Sequence, residues 1–345
     1  FVGRFQIRQM LREKRTGFTV IFGMFVSLFI VMLGLDCYTM CMNISKDNKR
    51  DTKYEYMYVY KYPEKEVPEG GTEAYIVGLK KERYGFNLDI TVVGIDPENP
   101  YFDLPQFSGQ NSIVAGSAFM QKFDMEVGDV VVLSDDLENR NYAFTIVGET
   151  NYSPSMYVFM NIEDMRELFG EDEDYYNVVF SDRELSIPTE RLYSVTSKGD
   201  IEAASSIFIN EMFGMIYTML VVSALIFVIV MYLMMKVMLD RSAQSIALFK
   251  VFGFRKREIS RLFLDGNTIL ILLGTMVSIP LAKLIMDALY PYLVSNVACA
   301  INLHMSLWVY GVLFLGCMLI YGIIHALLVK RIRKIPANEI LKNRE

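Results

Sequence analysis

Few residues in this chain could do covalent chemistry, and their placement excludes most of it. There are two histidines, His304 and His325, and four cysteines, Cys37, Cys41, Cys299 and Cys317, in 345 residues. The cysteines all lie within or beside apolar runs, and the polar region from 43 to 206 holds neither imidazole nor thiol. That region therefore lacks the groups for zinc hydrolysis or for a Ser-His-Asp triad, and no disulfide framework braces it. Cys37 follows an apolar run, but Asp36 before it is wrong for a lipid-attachment site, so buried or lipid-facing thiols are expected. Neither G-x-x-x-x-G-K-[ST] nor G-x-G-x-x-G occurs, so no nucleotide site or cofactor is expected in the chain itself. The run Glu171-Asp172-Glu173-Asp174 lacks the alternating ligand spacing of an EF-hand and reads as a solvated loop rather than a metal site.

Two sets of ionisable residues lie in apolar surroundings. Lys283 and Asp287 are one helical turn apart and can pair or reach for the outer interface. His325 falls inside an apolar run, where an ionisable side chain prompts a functional hypothesis; a neutral histidine bonded to a neighbouring helix is the expected reading.

The remaining chemistry is recognition, and it is concentrated in Arg241–Phe263. Arg241, Lys250, Arg255, Lys256, Arg257 and Arg261 there face one acid, Glu258. Ile246, Phe249 and Gly253 recur at i, i+3 and i+7, with Leu248 and Phe252 alongside, which predicts a short amphipathic helix. Gly253 offers the left-handed position that ends it before a second helix near Arg255. A helix of this kind either rests on anionic headgroups or docks in a protein groove.

Four long apolar runs must position these residues. The sequence is 52% hydrophobic with a net charge of −6, but both figures average over segregated segments. Residues 1–17 are basic and predict a cytoplasmic amphipathic helix, followed by a first span at 18–41. Residues 42–206 form a polar region, and spans two, three and four are expected at 212–235, 266–289 and 306–329, with a basic tail at 330–345. A run of roughly 20 apolar residues suffices to cross ~30 Å of hydrocarbon. The basic amino end, the central loop at 241–263 and the basic carboxyl end all fall on one side, which predicts that side as cytoplasmic and residues 42–206 as extracytoplasmic. Gly274, Ser278 and Ala282 form a small-x-x-x-small stripe that lets another helix approach the third span. The methionines of the second span predict adaptable packing. A chain that starts at Phe1 is expected to be trimmed, or one piece of a longer polypeptide.

In 42–206 the period becomes alternating. Tyr54–Tyr60, Ala74–Leu79, Asp89–Ile95, Ser112–Ala115, Asp129–Leu133, Ala143–Glu149, Tyr157–Phe159 and Asn177–Phe180 read as strands. Helices are predicted at Ser117–Phe123, with Ser117 as N-cap, at Ile162–Phe169 and at Gly199–Asn210. The whole is a membrane protein of four transmembrane α-helices with an α+β domain between the first and second. Acids outnumber bases about two to one in that domain, which excludes a nucleic-acid partner.

This order of elements resembles the FtsX/MacB-type permeases of ABC transporters. The central loop, Ser245-Ile246-Ala247-Leu248-Phe249-Lys250-Val251-Phe252-Gly253-Phe254-Arg255-Lys256, is similar to that family's R-E-I-G-[IL]-L-[KR]-A-[IL]-G-[AF]-x-[RK], with Ser245 in place of the usual Glu. The tail Ile335-Pro336-Ala337-Asn338-Glu339-Ile340-Leu341-Lys342 resembles its terminal P-x-E-[AI]-L-[RK], and the segments Ser117–Phe123, Val127–Leu133 and Phe144–Gly148 resemble repeats of the MacB-like outer domain. The resemblance implies that Ile246, Leu248, Phe249, Lys250, Phe252, Gly253, Phe254 and Arg255 dock in a separate ABC ATPase. It also implies that the permease works as a dimer of units or halves in the bilayer, and that ATP hydrolysis moves the outer domain, a mechanism called mechanotransmission. Substrates consistent with it are a peptide, a lipoprotein, a lipid or a regulated partner. The competing reading is a membrane-anchored, ligand-binding sensor without energy input, which has no need of an ordered basic helix between spans two and three.

Overall fold

The computed structural model describes residues 14–241, 246, 248, 249, 251–253 and 265–334. The expected amino-terminal helix up to residue 13, Lys250, Phe254 and Arg255 of the central loop, and the tail from 335 lie outside the described residues. The chain divides into two compact units. One is drawn from Phe1–Cys37, Gly214–Ala288 and Met305–Glu345, and the other from Tyr38–Phe213 and Leu289–His304.

The first unit is helical. It contains parts of α1 (Lys14–Asp51), α4 (Lys198–Arg241), α5 (Asp265–Leu293) and α6 (Leu307–Lys334). All four are long and apolar enough to cross a membrane. Leu225, Ile229, Leu284, Leu315 and Leu319 are each more than half exposed on them, which suits hydrocarbon and not water. At ~1.5 Å per residue α4 is roughly 66 Å long, about twice the hydrocarbon thickness. The helix expected at Gly199–Asn210 is simply its first part. Pro280 does not interrupt α5, a tolerance common in membrane helices, where neighbouring groups satisfy the carbonyl it leaves without a donor.

Close contacts fix the neighbours. A Cβ on Gly23 would lie 3.1 Å from Val230, and one on Gly34 would lie 2.8 Å from Leu220, so α1 and α4 run antiparallel. Gly274 faces Ile21 and Met24 while Lys283 meets Asp36, so α1 and α5 run parallel. Thr268 bonds Tyr321 at 2.6 Å, and Pro280 and Leu284 face Gly311 and Phe314 across a shared groove, which makes α5 and α6 antiparallel. Directions therefore alternate along the chain, as four successive crossings require.

The second unit is built on β1 (Tyr56–Glu64), β2 (Gly71–Arg83), β3 (Phe86–Ile95), β4 (Ser112–Gly116), β5 (Val130–Asp135), β6 (Arg140–Thr150), β7 (Tyr157–Asn161), β8 (Tyr176–Ser181) and β9 (Leu192–Ser197). Helices α2 (Ser117–Phe123) and α3 (Ile162–Phe169) are interleaved. The strand order is β3-β7-β4-β6-β5-β2-β8-β1-β9, with β2 also pairing β3, so six strands close a ring and three extend from it. Pairs β3–β7 and β4–β6 are parallel and the others antiparallel. Alternating residues fill the ring: Leu79, Ile90, Val92, Ile113, Phe144 and Val158 are buried with Phe119 of α2 and Met165 of α3.

Eight strands and both short helices stand where alternation and turn residues place them. Two details differ. The N-cap of α2 is Gly116, without a side-chain cap bond, because Ser117 turns its Oγ to accept from the Tyr152 N–H at 3.2 Å. The ninth strand, β9, goes beyond the eight that alternation predicts. It pairs with β1 from Tyr56↔Ser197 to Tyr60↔Leu192 and leads directly into α4, as α1 leads into β1. Beside this junction Asn48 contacts Ser205 at 3.1 Å and Lys49 pairs with Glu202 at 3.4 Å.

Candidate functional site

The central loop is the first place to look for function. Residues 246, 248, 249 and 251 are helical, and the Phe252 N–H donates to Leu248 O at 3.0 Å. Gly253 takes φ +82°, and a Cβ added there would meet nothing within 4 Å, so backbone conformation alone calls for glycine. Ile246 is buried and Phe249 half-buried, while Leu248, Val251 and Phe252 are exposed. At 100° per residue Leu248, Val251 and Phe252 share the face opposite Ile246. The exposed surface is thus this second face, and Ile246 packs against its own chain.

The small residues of α5 do come together. Gly274, Ser278 and Ala282 lie on one buried stripe with Ile271 and Met286, and Gly274 is the point of approach to Ile21 and Met24 of α1. At the far end of the same helix pair, Lys283 bonds Asp36 at 2.5 Å and Asp287 at 2.7 Å. The Asp36 side chain is fully buried, and its Oδ2 accepts no hydrogen bond. Pairing of Lys283 with Asp287 is legible from their spacing; Asp36 is visible in the sequence only as a solitary charge, because its partner is 247 positions away. A buried carboxylate of this kind is tolerated only with a cation held against it. His325 lies beside Tyr321 of its own helix, the rings tilted with centroids 5.7 Å apart.

A third feature has no forerunner among the sequence expectations. The last turn of α5 and most of the connector that follows it, Leu289–His304, belong to the same unit as the sheet. Lys122 on α2 is fully buried and donates to the carbonyls of Val294 and Val297, both at 2.6 Å. These oxygens follow the end of α5, where the helix dipole favours a cation, and each also accepts a backbone N–H, Val294 O from Val297 at 3.1 Å and Val297 O from Cys299 at 3.0 Å. Burial lowers the Lys122 ammonium below the usual lysine range, nearby Cys299 works against that and Arg83 reinforces it. Burial likewise raises the Cys299 thiol. Three residues after Val297, Ala300 enters the core beside Phe119 and Phe144. Asn302 closes the connector: it accepts from Asn43 Nδ2 at 3.0 Å through its carbonyl and donates to Asp47 at 3.0 Å. Tyr292 stacks on Tyr84 with centroids 4.2 Å apart. The only sequence signal is an aperiodic stretch between two spans holding Ala300 and Asn302, too short and irregular for a periodicity argument.

Among the described residues no group of three or more His, Cys, Asp or Glu could hold a metal ion. The features so described are an exposed helix face on the central loop, close-packed helices, and a connector packed into the β-domain.

No curated protein matches the chain. Residues 217–337 match the family described as FtsX-like permease C-terminal, a range that takes in most of α4, the central loop, α5 and α6. With four membrane-crossing helices and a sheet-rich domain between the first and second, the chain is a multi-pass membrane protein whose segment 217–337 is an FtsX-like permease domain.

Proposed function

We propose that this chain is the membrane subunit of an ABC transporter, coupling ATP hydrolysis by a separate ATPase to movement of an extracytoplasmic domain. The observation that carries the reading is the permease match over 217–337, which covers the central loop and the three helices that follow the β-domain. In this reading the basic ends and the central loop are cytoplasmic, residues 42–206 are the extracytoplasmic, MacB-like domain, and two permease units or halves work together. The ATPase receives the exposed face of the loop helix, with Leu248 and Phe252 as its anchors and Lys250, Phe254 and Arg255 as neighbours in sequence.

Force entering at that helix passes into α4 and α5. From α4 it reaches the β-domain through β9, and from α5 through the Lys122 clamp on the connector. The acidity of the domain favours a cationic peptide over an anionic substrate; a lipoprotein, a lipid or a regulated partner fits the same motion. A sensor without energy input gives no use for an exposed Phe252 beside a helix-ending Gly253.

The test is co-purification of the ATPase from native membranes with Leu248→Asp and Phe252→Asp. Phe252 is 75% exposed, so burying it in a partner is worth about 2–3 kcal/mol. Each substitution is expected to weaken association on the order of 100-fold. Unchanged association of both variants overturns the docking assignment.

A further inference from the structure

Between α5 and α6 lies a groove of about 670 Å³. Met276, Ile279, Pro280 and Leu284 of α5 and Gly311 and Phe314 of α6 form its apolar walls. Lys283 and Asp287 also line it, both in the part of α5 remote from the central loop. From Met276 to Asp287 is eleven residue steps, roughly 16 Å of helix, against ~15 Å for one leaflet of a ~30 Å hydrocarbon core. The groove is therefore as long as one leaflet is deep, apolar along most of its length and charged at the end remote from the central loop.

The charge there has a sign. Two carboxylates, Asp36 and Asp287, share the Lys283 ammonium. Asp36 is wholly buried, whereas Asp287 is 47% exposed and presents its carboxylate to the groove. A cation on an incoming molecule would complete an alternating set of charges. A helix from a second copy is a poorer fit. It is 10–12 Å across with its side chains and approaches closely along small residues. The small stripe Gly274, Ser278, Ala282 is already buried, and the α5 wall of the groove is made of bulky side chains.

We propose that the α5–α6 groove is a binding site for a membrane amphiphile, holding one alkyl chain between the helices and an ammonium headgroup against Asp287. The site depends on the four spans and on the charge cluster, and not on the ATPase reading, so the two stand or fall separately.

The experiment uses the full chain in nanodiscs of equal phosphatidylethanolamine and phosphatidylglycerol, released into native mass spectrometry. The wild type is expected to retain one phosphatidylethanolamine per chain, at least tenfold over phosphatidylglycerol. Gly311→Phe fills the groove, and a Cβ at Gly311 meets nothing within 4 Å, so the helix accommodates it. Retention by this variant should fall at least tenfold. Asp287→Asn should keep a bound lipid while the preference drops to near unity. Equal retention by wild type and Gly311→Phe overturns the proposal, as does an unchanged headgroup preference in Asp287→Asn. A Gly311→Phe variant that loses a dimer without losing lipid assigns the groove to a second copy instead, and also overturns it.

Discussion

Replacing Lys122 with Met tests whether the connector is held by chemistry or merely by proximity. Met fills nearly the same volume and keeps the buried stem packed, but it removes both bonds to the Val294 and Val297 carbonyls. Hydrogen bonds from a charged donor contribute about 1.5–3 kcal/mol each. Three effects reduce the sum: the ammonium no longer has to be desolvated, Val297 is 42% exposed so that water recovers part of what its carbonyl loses, and both carbonyls keep a backbone donor, from Val297 and Cys299. A net loss of about 2 kcal/mol remains, or roughly a 30-fold rise in the population of the undocked connector. Hydrogen exchange of the full chain in nanodiscs reads this directly. Amides of 294–303 should exchange about 30-fold faster, with strands β4 to β6 unchanged. Equal rates in the connector would refute the clamp, and a uniform rise across the sheet would mean that Lys122 supports the whole domain.

The pH dependence has a definite sign. Burial lowers the Lys122 value, so between that lowered value and the ordinary 10.5 the docked chain binds fewer protons than the open one. Docking therefore strengthens as pH rises through this window. The neutral amine still has two N–H groups to donate. With intrinsic exchange divided out, protection of the connector should hold or increase toward pH 10; its loss would contradict the assignment.

Lys283→Met strips the cation from buried Asp36 and should destabilise the helical unit by about 3–5 kcal/mol, seen as a lowered thermal midpoint in nanodiscs. The double variant with Asp36→Asn should recover at least half of that loss, and no recovery would argue against the pair. Gly116→Ala places a Cβ 2.9 Å from Tyr157 O and 3.1 Å from Tyr152 O, both backbone atoms that cannot swing aside. It should cost about 1–3 kcal/mol, whereas Gly311→Ala, with open space around it, should leave the midpoint unchanged.

What can be read from the sequence follows the range of each signal. Ala74–Leu79 and Asp89–Ile95 announce strands because alternate side chains meet a core within the same few residues. The α5 stripe of Gly274, Ser278 and Ala282 is equally local. Strand β9 escapes because it sits at the sheet edge, where Tyr193 and Val195 point to solvent and alternation carries no burial pattern. Asp36 with Lys283, and Lys122 with Val294 and Val297, depend on contacts 247, 172 and 175 positions apart, which no periodicity encodes. The central loop is legible in its Gly253 turn, but not in which face remains open: Ile246 and Phe252 are equally apolar in sequence, and only packing tells them apart.

The pairing of β1 with β9 has a mechanical corollary. Because α1 runs into one strand and α4 out of the other, the two rods share a hydrogen-bonded seam, tightened by the Lys198 N–H on Glu55 O at 2.9 Å. Slipping one rod past the other by a single residue would turn every strand side chain to the opposite face. Under the proposed coupling, a piston stroke of one rod alone would have to break this seam, whereas travel shared by both rods would leave it intact.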